Sequence, residues 1–289
     1  MADSKPLVSI GMPVYNEEHY IEQTLNSLLS QSFENFELII SDNASTDHTG
    51  EICLNYSIKD PRIRYYRWET NLGSIVNFNH TFELSSAKYF LWTSGHDLRH
   101  ETFISRCMEI LEDDGSVVLC YPKARWLESD GQLGKVIPGH VETRSLDQVS
   151  AFQTVLWGLD YGYPIYGIIR SNALKKTGLL RNTIGPDIVL LAELAVIGAF
   201  AQVPEPLLFI RRLSDFGSWT QYLARSFGRG WKMRSAWYLY SKWIYEHLRV
   251  VAKHTRSPHL KAVLMLSVIL CMLTKYRGVL RGIQGTGKP

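Results

Sequence analysis

Residues 7–47 read LVSIGMPVYNEEHYIEQTLNSLLSQSFENFELIISDNASTD, a succession of strand, loop, helix, strand and acidic loop. Val8, Ile10 and Met12 alternate apolar side chains at the period of a strand, and Pro13, with no N–H for a ladder, predicts its end. Tyr20, Ile21, Thr24, Leu25, Leu28 and Leu29 recur at helical spacing, so this segment buries one face. A second apolar run over 36–40 stops at Ser41-Asp42-Asn43. Two strands joined by a crossover helix favour a right-handed βαβ unit, whose ligand sits beyond the carboxyl ends of the strands. Tyr15-Asn16-Glu17 and Asp42-Asn43 fall at that edge and are expected to face one ligand.

Outward from this stretch, helical spacing continues over 49–56 until Asp60-Pro61, and 62–67 alternates as a third strand. Asn71-Leu72-Gly73 is a turn, 74–84 a helix, and 88–93 a short buried strand that delivers Ser94-Gly95-His96-Asp97 into a loop. A helix over 101–111 and a strand over 117–121, limited by Pro122, follow. Asp130-Gly131 predicts a hairpin between 124–127 and 134–137. Residues 146–157 read as a helix, 161–170 enter a strand, and 173–176 form a helical turn. Gly185-Pro186-Asp187 opens a helix that is apolar all round, hence buried, and 207–211 is the last strand. Residues 219–281 read as helices broken at Ser257-Pro258, and the last eight residues as a frayed end.

A chain of 289 residues suits one large or two small domains, and 45% apolar with 20% charged residues is ordinary for a soluble globular protein. A net charge of +3 is too small to argue for nucleic acid. From Arg211 onward basic residues are frequent and acidic ones scarce, which predicts a surface for anionic lipid or an acidic partner unless it is a solvated helical face. The opening MADSKPLVSIGM lacks the pattern of a secretory signal. Cys53, Cys107, Cys120 and Cys271 lack zinc spacing and read as reduced, buried thiols of a cytoplasmic protein. The uncharged run 262–274 is too short to span a bilayer, so the expected place is soluble or at a membrane surface. No G-x-G-x-x-G follows the first strand, which argues against a nicotinamide-dependent dehydrogenase.

PVYNEE followed by FELIISDNASTD resembles glycosyltransferase family 2, and Asn71-Leu72-Gly73, Asn79 and 88–92 leading to Asp97 continue the likeness. It is strong over about 7–125, weaker to about 212, and nearly absent afterwards. The resemblance implies an α/β GT-A fold, a mostly parallel sheet flanked by helices with a helical C-terminal extension. A transferase domain would span 1–212, its nucleotide half about 1–125 and acceptor half about 126–212, with the extension over 213–289. It further implies inverting transfer from a nucleotide sugar, UDP-type, to a glycan or lipid-linked acceptor in polysaccharide biosynthesis. A divalent cation, Mg or Mn, would assist. The alternative is a degenerate relative that binds nucleotide or a partner without efficient catalysis.

Several residues carry these expectations. Asp42 would hold the base, unless it caps the following turn; Tyr15 would stack on it, Pro13 shape the wall, and Glu17 and Asn71 line the nucleotide side. Asp97 stands where the family's acidic motif places its last carboxylate, a hard oxygen ligand, with His96 as a substitute ligand or phosphate partner. The motif here offers one carboxylate where the family often has two or three. Asp187 would be the base that deprotonates the acceptor, although the macrodipole also favours an Asp in a helix's first turn. Glu193 is the second candidate, or else the partner of an arginine. Trp157, Tyr161, Tyr163 and Tyr166 supply an acceptor wall or core, and Arg211 or Arg212 reaches the diphosphate in a loop that lacks the family's His. The segment from Ser257 is expected to lie in a bilayer interface, with Trp219, Trp231, Trp237 and Trp243 upstream, or to pack on the sheet or in a homodimer seam.

Overall fold

The computed structural model describes residues 5–159, 161–213, 226 and 236–276. Trp219, Trp231, the last eight residues expected to fray, and residues 214–225 after the expected boundary at 212 lie outside this set. The expected frame is present: β1 (Val8–Val14), α1 (Ile21–Leu29), β2 (Phe36–Asp42), α2 (Thr49–Lys59), β3 (Ile63–Arg67), α3 (Ser74–Glu83) and β4 (Tyr89–Trp92). β1 pairs in parallel with β2 on one side and β4 on the other, and β2 pairs in parallel with β3. β1 and β2 are buried along their whole length, as a sheet covered on both faces requires.

Pro13 does not end β1. Gly11 accepts the Thr93 N–H on the β4 side, and Pro13, two residues on, faces the same side just beyond the end of β4. No ladder bond is required of it there. Beyond β4 the sheet is mixed. β5 (Leu98–Arg99), α4 (Phe103–Asp113), β6 (Val117–Leu127), β7 (Leu133–Val136), α5 (Gln148–Gly158), β8 (Ile168–Arg170), α6 (Ser171–Leu174), α7 (Pro186–Ile197) and β9 (Ala199–Arg211) complete it in the order β3-β2-β1-β4-β8-β6-β9-β5, with β7 on β6. The β4–β8, β6–β8, β5–β9 and β6–β7 pairs are antiparallel and β6–β9 is parallel.

Three departures involve proline, and in two of them the proline stands where the ladder slips. β6 runs through Pro122, and β9 begins at Ala199 and runs through Pro204 and Pro206. The β6–β9 register shifts between Pro122 and Lys123, so the missing N–H groups fall at a bulge. Residues Tyr163–Tyr166 form a 3-10 turn around Pro164 rather than a strand.

Helices α8 (Ala236–His254) and α9 (Pro258–Thr274) follow. Ser257 caps α9 by accepting the Leu260 N–H, and Pro258 occupies its first turn. α8 packs on α7, and α9 on α5 and α8, so Leu239, Trp243, Val251, Leu264, Val268 and Met272 join the same core as the sheet. All four cysteines are free and buried. Among the described residues no helix is long and apolar enough to cross a membrane.

Candidate active site

The carboxyl ends of β1, β2 and β4 are stitched into one surface. Asn16, at φ 56°, donates its N–H to Ser45 Oγ (3.0 Å), and its Oδ1 accepts the Thr46 N–H (2.8 Å). Thr49 Oγ1 accepts the Glu17 N–H (2.7 Å). Asn43 Nδ2 donates to Asn71 Oδ1 (3.0 Å), while Asn43 Oδ1 accepts the Leu72 N–H (2.8 Å) and Asn71 Oδ1 the Gly73 N–H (2.9 Å). Tyr15 stands 43% exposed at this rim with its ring available for stacking, whereas Pro13 is buried inside β1 and forms no wall.

Asp42 is fully buried. Its Oδ1 accepts the Ser45 N–H (2.8 Å), while Oδ2 accepts from the Tyr65 hydroxyl (2.8 Å) and the Arg67 guanidinium. Both expectations for Asp42 therefore meet a third fact: it caps its turn and also anchors a cation from β3. Arg67 donates in addition to Ser45 O (2.7 Å), and its side chain stays 45% exposed above the loop. What Asp42 presents outward is its partner.

The β4 loop is the second half of the site. Asp97, 2% exposed, accepts the Arg211 N–H through Oδ1 (2.9 Å). Arg211 donates from Nε to His96 O (2.9 Å) and from Nη2 to Gln23 Oε1 (2.8 Å), and its guanidinium lies 4.3 Å from the centre of the Tyr20 ring. The end of β9, the His96–Asp97 loop and α1 are thus locked together across a long stretch of chain. His96 Nδ1 is bonded to the Glu17 carboxylate (2.9 Å); burial lowers the imidazole's pKa, but Glu17 and Asp97 more than offset it and hold His96 above its ordinary value. Arg99 is buried beneath, donating to Trp92 O (3.0 Å) and Thr93 Oγ1, with burial pulling it down to about 10.

Among the described residues no three His, Cys, Asp or Glu side chains group as a metal centre. The donor set still fits a hard cation in one way. Asp97 has a carboxylate oxygen outside its Arg211 bond, and Mg or Mn commonly takes one or two carboxylates and completes its shell with substrate phosphates. His96 has Nε2 outside its Glu17 bond, and a carboxylate on the other ring nitrogen is the usual setting of a ligating His, which suits Mn better than Mg.

Asp187 sits in the first turn of α7, after Gly185 in the left-handed region (φ 51°, ψ 52°). Its carboxylate rests on Gly162: a Cβ there would lie 1.7 Å from Oδ2, so any other residue would displace the carboxylate. Burial raises the Asp187 pKa, with the Ile188 N–H lowering it in part. Glu193 has another fate. It is 0% exposed and accepts from Arg181 (2.6 Å), His254 (2.8 Å), Lys253 (3.2 Å) and the Gly178 N–H (3.0 Å). Burial raises its pKa, yet these donors outweigh burial and leave it low. Six residues from Asp187 is about 600° of helix, so the two carboxylates face different sides of α7. Glu193 is corrected to a structural anchor, the arginine-paired alternative.

Of the aromatic group, Tyr163 is core, 5% exposed, its hydroxyl donating to Gly139 O (3.0 Å). Tyr161, 46% exposed, meets the Trp126 ring edge-on at 5.8 Å, and Arg212 lies 4.8 Å above the other part of that assembly, Trp126. Arg212 also pairs with Glu128 (3.5 Å), so it belongs to this rim and not to the Asp97 loop. Tyr166, half-buried, ends the 3-10 turn that Gly162 begins. Trp157 is 38% exposed at the end of α5. Sequence reasoning missed Arg67, Tyr65, Gln23, Gly162 and Trp126; only Gly162, a glycine between two tyrosines, left a trace.

A family model described as glycosyl transferase family 2 matches residues 9–178, and the chain belongs to that family. Glycosyltransferase GlyG of Streptococcus pneumoniae is 25% identical over 154 residues, covering 52% of this chain and 51% of the relative. The putative teichuronic acid biosynthesis glycosyltransferase TuaG of Bacillus subtilis is 35% identical over 111 residues, covering 38% and 44%. The chain spans about half the length of these curated relatives. The structure of S. aureus TarS 1–349 in complex with UDP-GlcNAc superposes with a TM-score of 0.71 at 16% identity, covering 94% of this chain and 74% of that one. The mannosyltransferase PcManGT of Pyrobaculum calidifontis, in complex with GDP-Man and Mn2+, gives 0.54 at 13% identity, covering 95% and 76%. The fold is GT-A.

Proposed function

We propose that this chain is an inverting glycosyltransferase that moves a sugar from a UDP-type nucleotide donor to a hydroxyl of a glycan or lipid-linked acceptor. The observation that carries this reading is the division of labour between two carboxylates. Asp97 is held by Arg211 at the joined strand ends, where a donor diphosphate belongs in this fold. Asp187 is a separate, half-buried carboxylate with no cation partner among the described residues, and burial raises its pKa, which suits it to taking a proton. UDP-GlcNAc bound to TarS and the teichuronic acid role named for TuaG support the donor class and polymer biosynthesis.

Tyr15 stacks on the base and Arg67, anchored by Asp42, borders it, with the Asn43–Asn71 loop at its side. Arg211 and the Asp97 loop receive the diphosphate. A bound Mg or Mn would be held by Asp97 and would supply charge neutralisation at the leaving group. Asp187 takes the proton of the acceptor hydroxyl as that oxygen attacks the anomeric carbon opposite the departing diphosphate, which inverts the configuration. Tyr161 and Trp126 offer ring faces to the acceptor sugar.

The second reading, a relative that binds nucleotide without efficient turnover, is favoured by the single carboxylate in the β4 loop. UDP release from a panel of UDP sugars, with and without Mn, separates the two. The expected outcome is turnover that Asp187→Asn reduces by about 10²- to 10⁴-fold while UDP still binds. UDP binding with no release from any donor supports the second reading.

A further inference from the structure

Helix α9 is apolar on two sides. Leu264, Val268, Cys271 and Met272 are buried against the protein, while Leu266, Ile269, Leu270 and Leu273 are 41–60% exposed. At about 100° per residue these four fall within roughly 100° of one another, a continuous stripe. His259 and Ala262, also exposed, extend it toward the N-terminus of the helix. Four large aliphatic side chains aligned in water call for a cover.

Charge decides which cover. After Glu246 the sequence carries eight Lys and Arg and no Asp or Glu. A second copy laid along the stripe in either direction would set cations against cations. Nucleic acid would satisfy the charge but leave the aliphatic stripe in water. An anionic lipid surface satisfies both. The helix is 17 residues long, and none among the described residues is long and apolar enough to cross a bilayer, so the fit is to the plane of the interface.

We infer that α9 docks this chain on an anionic lipid surface, with Leu266, Ile269, Leu270 and Leu273 in the acyl boundary and Arg256 and its basic neighbours at the headgroups. The C-terminal end of the helix is braced to the acceptor side: Lys275 Nζ donates to Leu159 O (2.8 Å), as does the Tyr276 hydroxyl (3.1 Å). Gly162, against Asp187, follows three residues later. Exposed Trp157 lies at the same end, an aromatic ring suited to the headgroup level. Docking stands whether or not Asp187 is the base.

The test is flotation of the full chain with vesicles at low salt, phosphatidylcholine alone against phosphatidylcholine with phosphatidylglycerol. The native chain is expected to float with the anionic vesicles only. Leu266→Ser with Leu270→Ser, both on the exposed face, should keep the native circular dichroism and Tm yet lower the bound fraction on the order of tenfold. Arg256→Glu should weaken binding to the anionic vesicles. Native protein that stays at the bottom, or a double variant that floats equally well, overturns the proposal. So does a native dimer, seen by sedimentation equilibrium, that the double variant converts to monomer, because a second copy would then be the cover.

Discussion

Gly162 and Asp187 form a unit in which one residue's lack of a side chain sets the position of the other's carboxylate. Gly162→Ala would put a methyl group where Asp187 Oδ2 now lies, so the carboxylate must move. A displacement of about 1 Å at a reacting group can cost 10²-fold, and that is the expected loss in kcat, with UDP affinity retained. A UDP-binding isotherm beside turnover distinguishes this from misfolding. pH provides a second view. Because burial raises the Asp187 pKa, the native state holds this proton more tightly than the unfolded chain, and stability falls as pH rises through the raised value. The base acts only when deprotonated, so activity rises over the same interval. Asp187→Asn should therefore lower turnover by the same about 10²- to 10⁴-fold while raising Tm at pH values above that limb, and thermal melts of the two proteins check it.

At the scale of elements, α7 is tied to α8 through Glu193. Arg181 approaches its carboxylate from the loop before α7, and Lys253 and His254 from the end of α8. Glu193→Ala would leave the Arg181 guanidinium, 11% exposed, without its closest anion. Breaking a buried pair from one side costs about 3–5 kcal/mol, and because Glu246 still pairs with Arg181 at 3.2 Å the expected loss in urea unfolding is the lower end, about 3 kcal/mol. Once the variant is folded, its kcat should stay near the native value; a loss comparable to that of Asp187→Asn would return Glu193 to the chemistry. The same helix pair presses Trp243 onto Gly185, the residue that opens α7, where a Cβ would sit 3.3 Å from the indole. The C-terminal helices thus fix the start of the helix that carries the proposed base.

Over the whole molecule, the shared core of sheet and C-terminal helices implies one cooperative unit with a built-in acid sensitivity. His247 on α8 is fully buried; Nδ1 donates to Trp243 O (2.9 Å), and Nε2 has no hydrogen-bond partner among the described residues. Burial, aided by the nearby Arg181 cation and only partly offset by the Trp243 carbonyl, lowers its pKa to about 4. The unfolded chain protonates near 6.5, so this contribution to stability is fully present above that pH and is lost as pH falls toward 4. Those values give on the order of 3 kcal/mol. Urea midpoints measured across pH 4–7 should fall in this window, and His247→Leu should flatten the fall.

Sequence by itself determined the first half of the fold and the two loops of the candidate site. The strand and helix periods of 7–47, the helix over 74–84 and the strand before Asp97 are local patterns, and local steric and hydrophobic preference was enough to place them. The apolar girth of α7 likewise announced its burial. Tertiary structure alone decided what each charged residue does. Asp42 was legible as a loop carboxylate, but its partners Tyr65 and Arg67 arrive from the next strand through the β2–β3 register. Glu193 reads in sequence as a second candidate base or as an arginine's partner, and Arg181 with Lys253 and His254 of α8 decides for the partner. The prolines of β1, β6 and β9 follow the same rule. A missing N–H ends a strand only where a neighbour would have accepted it, and the neighbour is set by pairing between distant segments.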